Sequence, residues 1–408
     1  ESIHLRNRIA AREMAFGDGA IASVTEELST DLLNELQVSN RLWNDFQEPQ
    51  LQETINTLKR CTPLERAYFQ RFFTFVSKEQ ILSKTGGKND SSNGFAGLWH
   101  TPLAEKIESG NILLGLTVTE KRQSGPGKGY DIIELHIPQQ GEDFLPNFRT
   151  GDIIIFYAYQ KEPDVRQQIL MKGNILDIQA NSLTILLRNG QQNKDIIGGA
   201  DEVFAVEHDS SDSSAMNAMR GLYAFLSART DRKELLLGLR TPGKHPERTL
   251  NGSYGRFDEL ILKEKQTDDY FLLVGPPGTG KTSCALRYMV EEALADPEAS
   301  LLLLSYTNRA VDEICSMLVD SGIAESTPFI RIGSELSCDR RFAPYLLKNN
   351  LADCPKLTDI QQKIAHTRIF TGTTTAINSR LHLFNLKHFT LAIIDEASQI
   401  LEPDLVGI

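Results

Sequence analysis

The spacing of apolar positions divides the chain into three stretches. In the first, Leu64, Tyr68, Phe69, Phe72, Phe73 and Val76 recur every three or four residues, which predicts one broad apolar face on a helix. Thr62-Pro63-Leu64-Glu65 opens that helix with a cap hydroxyl, a first-turn proline and a glutamate placed to close a capping box, and Gly86-Gly87 ends the pattern. An aromatic stripe can stack bases, but at this spacing a packed core face is the simpler reading. A polar loop over 88–93 follows, and residues 1–110 are expected to be helical.

From residue 111 the period falls to two. Candidate strands lie at 113–120, 131–137, 152–159, 170–179, 183–188 and 202–207, with Ala180-Asn181-Ser182 as a turn between two of them. Short strands with glycine-rich connections predict a small antiparallel β-barrel over 111–209, a module that binds nucleic acid in some proteins and is purely structural in others. Asp209-Ser-Ser-Asp-Ser-Ser214 is a polar break, and Met216, Met219, Leu222, Tyr223 and Leu226 mark a helix over 215–228 that reads as a stalk. A second break covers 242–247, so 210–247 is taken as stalk and linker. The third stretch, 248–408, alternates apolar strands (271–274, 301–305, 368–371, 391–394) with helices (281–294, 309–318), the pattern of a parallel sheet covered on both faces. The fold class is therefore α/β, with no internal repeat.

The third stretch also carries the chemistry. Phe271-Leu-Leu-Val274 runs into Gly275-Pro-Pro-Gly-Thr-Gly-Lys-Thr282, a strand–loop–helix with the glycine spacing that lets successive backbone N–H groups face phosphate. Gly275, Pro276, Pro277, Gly278, Thr279, Gly280, Lys281, Thr282 and Ser283 are the candidate ATP-binding residues. Lys281 supplies a point charge near the β- and γ-phosphates, and Thr282 a hydroxyl for Mg²⁺. The matching acidic pair ends the apolar run Leu391-Ala-Ile-Ile-Asp395-Glu396. Asp395 would hold Mg²⁺ directly or through water, and Glu396 would polarise the attacking water.

Composition changes this picture little. The 408 residues are 40% hydrophobic and 24% charged, ordinary for globular protein with more than one core. No apolar run nears the roughly 20 residues of a membrane-spanning helix, and Arg6, Arg8 and Arg12 precede no apolar segment of a signal peptide, so a cytoplasmic protein without a membrane partner is expected. The five cysteines form no Cys-x-x-Cys pair, which argues against a zinc or iron–sulfur site. The net charge of −11 speaks mildly against a nonspecific coat for nucleic acid but leaves local grooves open. The chain opens at Glu1 and stops shortly after Asp395, which reads as a piece of a longer protein.

Gly275-Pro-Pro-Gly-Thr-Gly-Lys-Thr282, Ser305-Tyr-Thr-Asn-Arg-Ala-Val-Asp-Glu-Ile314, Thr371-Gly-Thr-Thr-Thr375 and Ile394-Asp-Glu-Ala-Ser-Gln399 occur here in one order and spacing. That series resembles the superfamily 1 helicases, most of all the 5′→3′ branch holding the replication helicase/nuclease and the nonsense-mediated-decay RNA helicase. The resemblance covers about 160 residues closely, as an order-of-magnitude span for one motor domain. It implies a RecA-like P-loop domain (motor 1A) preceded by a 1B-like barrel on stalk helices, and an ATP-dependent helicase or translocase acting 5′→3′ on single-stranded DNA. Ser305, Thr307 and Asn308, and likewise Thr373 and Thr374, match loops that meet the strand backbone, where short polar side chains position phosphate without reading bases. Taken by itself, Asn308 is more simply a helix cap. Gln399 matches a glutamine that couples nucleotide state to the strand. Lys281, Asp395, Glu396 and Gln399 are the catalytic set, and Thr282 and Asp395 hold the metal.

Three departures qualify the match. Tyr254 stands after Leu250-Asn251 where relatives carry a glutamine that reads adenine. No Glu-x-Lys occurs in the chain, and its one Asp-x-Lys, Asp231-Arg232-Lys233, lies in a helical stretch, so no nuclease site is assigned, and a nuclease domain before Glu1 in the parent protein is kept open as a partner by the resemblance. The later motifs, including the arginine fingers, fall past Ile408, so nucleotide binding with poor hydrolysis is expected of the chain alone. The competing readings are an RNA helicase of the same branch and a nucleic-acid clamp or assembly module switched by ATP.

Overall fold

The computed structural model describes residues 53, 56–85, 101–125, 128–140, 146–199, 201–209, 213–276 and 278–408. The expectations for 1–52, for Gly86-Gly87 and for the loop at 88–93 lie outside these residues. The chain divides into two compact units, one of Ser77–Ser214 with Ser334–Ser337, the other of the remaining residues.

Helix α1 (Pro63–Thr85) begins as its sequence dictates. The Thr62 N–H donates to Glu65 Oε2 at 2.8 Å, and the Glu65 N–H to Thr62 Oγ1 at 3.3 Å, which closes the capping box. Phe69, Phe73 and Val76 are buried as expected, with Tyr68 and Phe72 packed beside them. Leu64 differs, because it is exposed. The inward position of that first turn belongs to Glu65, buried and paired with Lys233 Nζ at 2.8 Å.

In the unit of 77–214, a short helix α2 (Leu103–Glu108) precedes six strands: β1 (Ile112–Arg122), β2 (Tyr130–His136), β3 (Ile153–Tyr159), β4 (Met171–Ile178), β5 (Ser182–Gln191) and β6 (Val203–His208). They close into an antiparallel barrel in the order β1-β2-β5-β4-β3-β6. Alternation turns Leu113, Leu116, Ile133, Leu135, Ile154, Phe156, Ile175, Leu183, Ile185, Phe204 and Val206 inward. Between Leu113 and Leu116 the register of β1 slips, and Gly115, at φ 70°, takes the bulge that bends the strand around the closure. β3 and β6 are buried on their outer faces too, where Ile155, Tyr157 and Ala205 meet Leu103 and Ile107 of α2. That outer layer contains a buried ion pair, Lys106 Nζ to Glu207 Oε2 at 2.5 Å, with the Tyr157 hydroxyl donating to the other Glu207 oxygen at 2.5 Å.

In the second unit, α3 (Ser213–Ser227) packs Ala218, Met219, Leu222, Phe225 and Leu226 against Phe69, Phe73 and Val76 of α1. Helices α4 (Thr230–Leu236) and α5 (Asp258–Lys265) lead to α6, which opens with a wide π turn at Lys281–Leu286 and continues as α-helix over Arg287–Leu294. Then β7 (Leu301–Ser305), α7 (Asn308–Asp320), β8 (Phe329–Ile332), α8 (Leu357–His366), β9 (Ile369–Thr373), α9 (Thr374–Asn378) and β10 (Leu391–Asp395) alternate. The four strands form one parallel sheet in the order β10-β7-β9-β8. Leu301, Leu303 and Ile369 face Leu286 and Val290 of α6 and Val311 and Ile314 of α7. Leu302, Leu304 and Phe370 face Ile364 of α8 and Ile377 of α9. Helices thus cover both faces, as a parallel sheet requires.

One predicted strand is not formed. Residues 271–274 are irregular, with Leu272 77% and Val274 94% exposed. An apolar run makes a segment worth burying, but a strand also needs a neighbouring backbone to bond, and here no ladder accepts it. Conversely, β8 is a strand that the sequence pattern above did not include. Among the described residues no helix is long and apolar enough to cross a membrane.

Candidate nucleotide site and strand-contact loops

The glycine-rich loop and the end of β10 meet at one edge of the parallel sheet. Gly278 and Gly280 sit at φ 79° and 83°, left-handed conformations that a side chain resists, and they curl the loop into α6. The first-turn N–H groups of such a helix have no partner within it. Lys281 folds back so that its ammonium donates to the carbonyls of Gly275 at 2.6 Å and Pro276 at 3.1 Å, inside the curl. Thr279 Oγ1 also donates to Pro276 O, at 2.8 Å. Ser283 is exposed on the first turn, and Pro277 lies outside the described residues.

Thr282, next along α6, donates its hydroxyl to Asp395 Oδ2 at 2.6 Å. Asp395 Oδ1 accepts the N–H of Glu396 at 3.0 Å, and Gln399 Nε2 donates to Glu396 Oε2 at 3.0 Å. Glu396, at φ 56°, is the one non-glycine left-handed residue among those described. Such a conformation costs about 1–2 kcal/mol and is retained where the surroundings demand it. Thr282 and Asp395 thus meet from two distant segments, with Glu396 and Gln399 bonded beside Asp395 and Lys281 turned to the carbonyls of its own loop.

Thr282 and Asp395 offer only oxygen, the ligand type that Mg²⁺ prefers. Among the described residues no three His, Cys, Asp or Glu side chains cluster to hold an ion. The residues fit Mg²⁺.

The loops expected to meet a strand divide into two groups. Thr307 and Asn308 are exposed beyond the end of β7, beside the half-exposed Tyr306, an aromatic that motif reasoning passed over. Thr307, rather than Asn308, caps α7, its Oγ1 accepting the N–H of Ala310 at 3.2 Å. Ser305, Thr373 and Thr374 are buried, so a direct side-chain contact with a strand, expected for all three, is not available from this arrangement. They end fully covered strands or begin the helix that follows, and Thr373 Oγ1 is engaged in capping α9 through the N–H of Ala376 at 3.1 Å.

Tyr254 is held by an unanticipated hub. Its hydroxyl donates to the buried Glu292 of α6 at 2.7 Å, and Glu292 also accepts the N–H groups of Asn251 at 2.8 Å and Gly252 at 3.2 Å and the ammonium of Lys265. Burial, then the bond to Glu292, pushes the Tyr254 phenol well above its ordinary range. Its ring lies 5.2 Å from that of Tyr288, which Phe257 approaches at 5.5 Å. The one Asp-x-Lys lies in α4, where Asp231 pairs with Arg229 at 2.8 Å.

The parallel sheet with helices on both faces, the glycine loop and the acidic strand end form an α/β unit, and a family model described as an AAA domain matches residues 258–368. The chain is similar to superfamily 1 helicases of the group holding the replication helicase/nuclease. It is 36% identical over 149 residues to the DNA replication ATP-dependent helicase/nuclease JHS1 of Arabidopsis thaliana, covering 36% of this chain and 10% of the relative. It is 26% identical over 353 residues to the DNA replication ATP-dependent helicase/nuclease DNA2 of Mus musculus, covering 80% of this chain and 31% of the relative. To the RNA helicase Mov10l1 of Homo sapiens it is 29% identical over 136 residues, 33% of this chain and 11% of that protein. The chain thus spans about a tenth to a third of the length of these relatives.

Proposed function

We propose that the chain carries the nucleotide-binding motor domain of an ATP-dependent helicase that moves 5′→3′ on single-stranded DNA. Residues 248–408 act as a RecA-like motor domain, 111–209 as a barrel serving the strand, 210–247 as its stalk and 1–110 as a helical N-terminal region. The observation that carries this reading is the 2.6 Å bond from Thr282 to Asp395, which joins the glycine loop to the acidic strand end in one oxygen-lined site. The outer edge of β10 pairs with no other strand among the described residues.

The roles follow from the chemistry of each group. Backbone N–H groups of 275–283 and the start of α6 receive the phosphates. Lys281 exchanges its loop carbonyls for phosphate oxygens, and Thr282 and Asp395 orient the metal side. Bound Mg²⁺ neutralises charge developing on the phosphates. Glu396, fixed by Gln399, takes the proton of the attacking water. Thr307 and Asn308 hold the strand backbone, and buried Ser305, Thr373 and Thr374 shape the loops behind them. DNA is favoured by the relatives named for DNA replication, and the RNA helicase relative supplies the alternative.

The test has two arms. Titration of this chain with a fluorescent ATP analogue should show binding that Lys281→Ala removes, while a clamp needing no fuel keeps its strand affinity unchanged. In the complete natural protein, duplexes with 5′ single-stranded tails should be unwound in preference to 3′-tailed ones, and DNA in preference to RNA. Nucleotide binding that survives Lys281→Ala, or unwinding of 3′-tailed duplexes alone, would refute the reading.

A further inference from the structure

β10, β7 and β9 run parallel, and their register sets Asp395 beside Ser305 and Ser305 beside Thr373. Along these strands Leu391 and Ile393, Leu301 and Leu303, and Ile369 all pack into the apolar cluster under α6 and α7. Alternation puts the next member of each series on the same face. The top row of that face is therefore a carboxylate followed by two hydroxyls, Asp395, Ser305 and Thr373, stepping about 4.8 Å from strand to strand.

Both ends of the row are engaged and its middle is not. Asp395 accepts from Thr282 and from the N–H of Glu396, and Thr373 accepts from Ala376 while keeping its own hydroxyl proton to give. Ser305 is 0% exposed, and its hydroxyl has no hydrogen-bond partner. A buried hydroxyl without a partner is costly, and one placed in register beside a metal-binding carboxylate has an evident acceptor, because a carboxylate takes about four hydrogen bonds and Asp395 has two.

Building on the nucleotide reading above, we infer that Ser305 is a positioning residue: its hydroxyl donates to Asp395 when the metal–nucleotide binds, and accepts in turn from Thr373. The row then runs Thr373 to Ser305 to Asp395. It orients the carboxylate toward the metal and ties it to the cap of α9. Ser305 is also the last residue of β7, two before the cap of α7, so the same hydroxyl connects the metal side to the loop that carries Thr307 and Asn308. In this role Ser305 acts through Asp395 and touches no strand.

The test measures affinity for a fluorescent ATP analogue, with Mg²⁺ and with EDTA, for wild type, Ser305→Ala and Ser305→Thr. Residues that orient a metal ligand typically contribute about tenfold or more in metal affinity. Ser305→Ala should lose about tenfold of the Mg²⁺-dependent gain in affinity and leave the EDTA value unchanged. Ser305→Thr, which keeps the hydroxyl, should restore the gain. The melting temperature of Ser305→Ala without nucleotide should equal or exceed that of wild type, since it removes a buried hydroxyl lacking a partner. A full Mg²⁺ gain in Ser305→Ala, or an equal loss with Mg²⁺ and with EDTA, would overturn the inference while leaving the nucleotide reading intact. Wild-type protein that binds nucleotide in neither medium would sink both.

Discussion

Glu264 offers a pH-dependent test of the packing behind the nucleotide site. It lies on α5, and burial, followed by the charge of Glu292, raises its carboxyl from the ordinary 4.5 to about 7, against the opposing pull of Lys265 and Arg248. Glu292 keeps its own charge because Lys265, Tyr254 and two backbone N–H groups bond to it. Between those two values the folded chain holds a proton that the unfolded chain has released. Stability from this group is therefore complete below about pH 4.5 and is lost as the pH rises through about 7. At about 1.4 kcal/mol per pH unit the gap amounts to roughly 3 kcal/mol, or about 2 once partial exposure screens it. Glu264→Gln removes the titration. The variant should melt with wild type near pH 4.5 and about 4–8 °C above it at pH 8.5, at about 2–4 °C per kcal/mol for a unit of this size. Thermal unfolding of both proteins across that range decides the matter. A difference independent of pH, or a wild type that gains on the variant as pH rises, would refute the reasoning.

Three further outcomes follow from contacts already described. Glu207→Leu in the barrel strands the buried Lys106 ammonium and the Tyr157 hydroxyl, and should cost about 3–5 kcal/mol in urea unfolding, most of it recovered by adding Lys106→Met. Asn308→Ala should weaken single-stranded DNA binding several-fold by fluorescence anisotropy at unchanged stability, whereas Thr307→Ala should also lose about 1 kcal/mol with its helix cap. Glu396→Gln in the complete natural protein should retain nucleotide and lower strand-stimulated turnover by at least about 100-fold, as expected for loss of a general base.

Much of this protein was legible along the chain because its signals are local. Period-two alternation located all six barrel strands to within a few residues, since each pleat needs only its own neighbours to decide which side is apolar. The capping box at Thr62 and Glu65 and the glycine loop at 275–282 are likewise contained within a few residues, and so is the chemistry they announce. The motifs also mark Lys281, Thr282, Asp395 and Glu396 by residue type and spacing alone.

What only the tertiary structure decided depends on segments far apart. The run at 271–274 has the composition of a buried strand but no backbone partner, so it stays irregular. β8 carries the buried Arg331, which is accommodated because Asp312 and Cys315 of α7 close over it. Tyr254 appears as a bare substitution in the sequence, and Glu292, reaching it from α6, shows what fixes its hydroxyl. Ser305, Thr373 and Thr374 read as strand contacts until the helices on the sheet bury them. The register of β10, β7 and β9 then sets Asp395, Ser305 and Thr373 in a row. The sequence by itself determined which groups the site contains, because residue type and local spacing carry that information. Their mutual placement, and which hydroxyls face inward, came from strand order and packing, which local sequence does not encode.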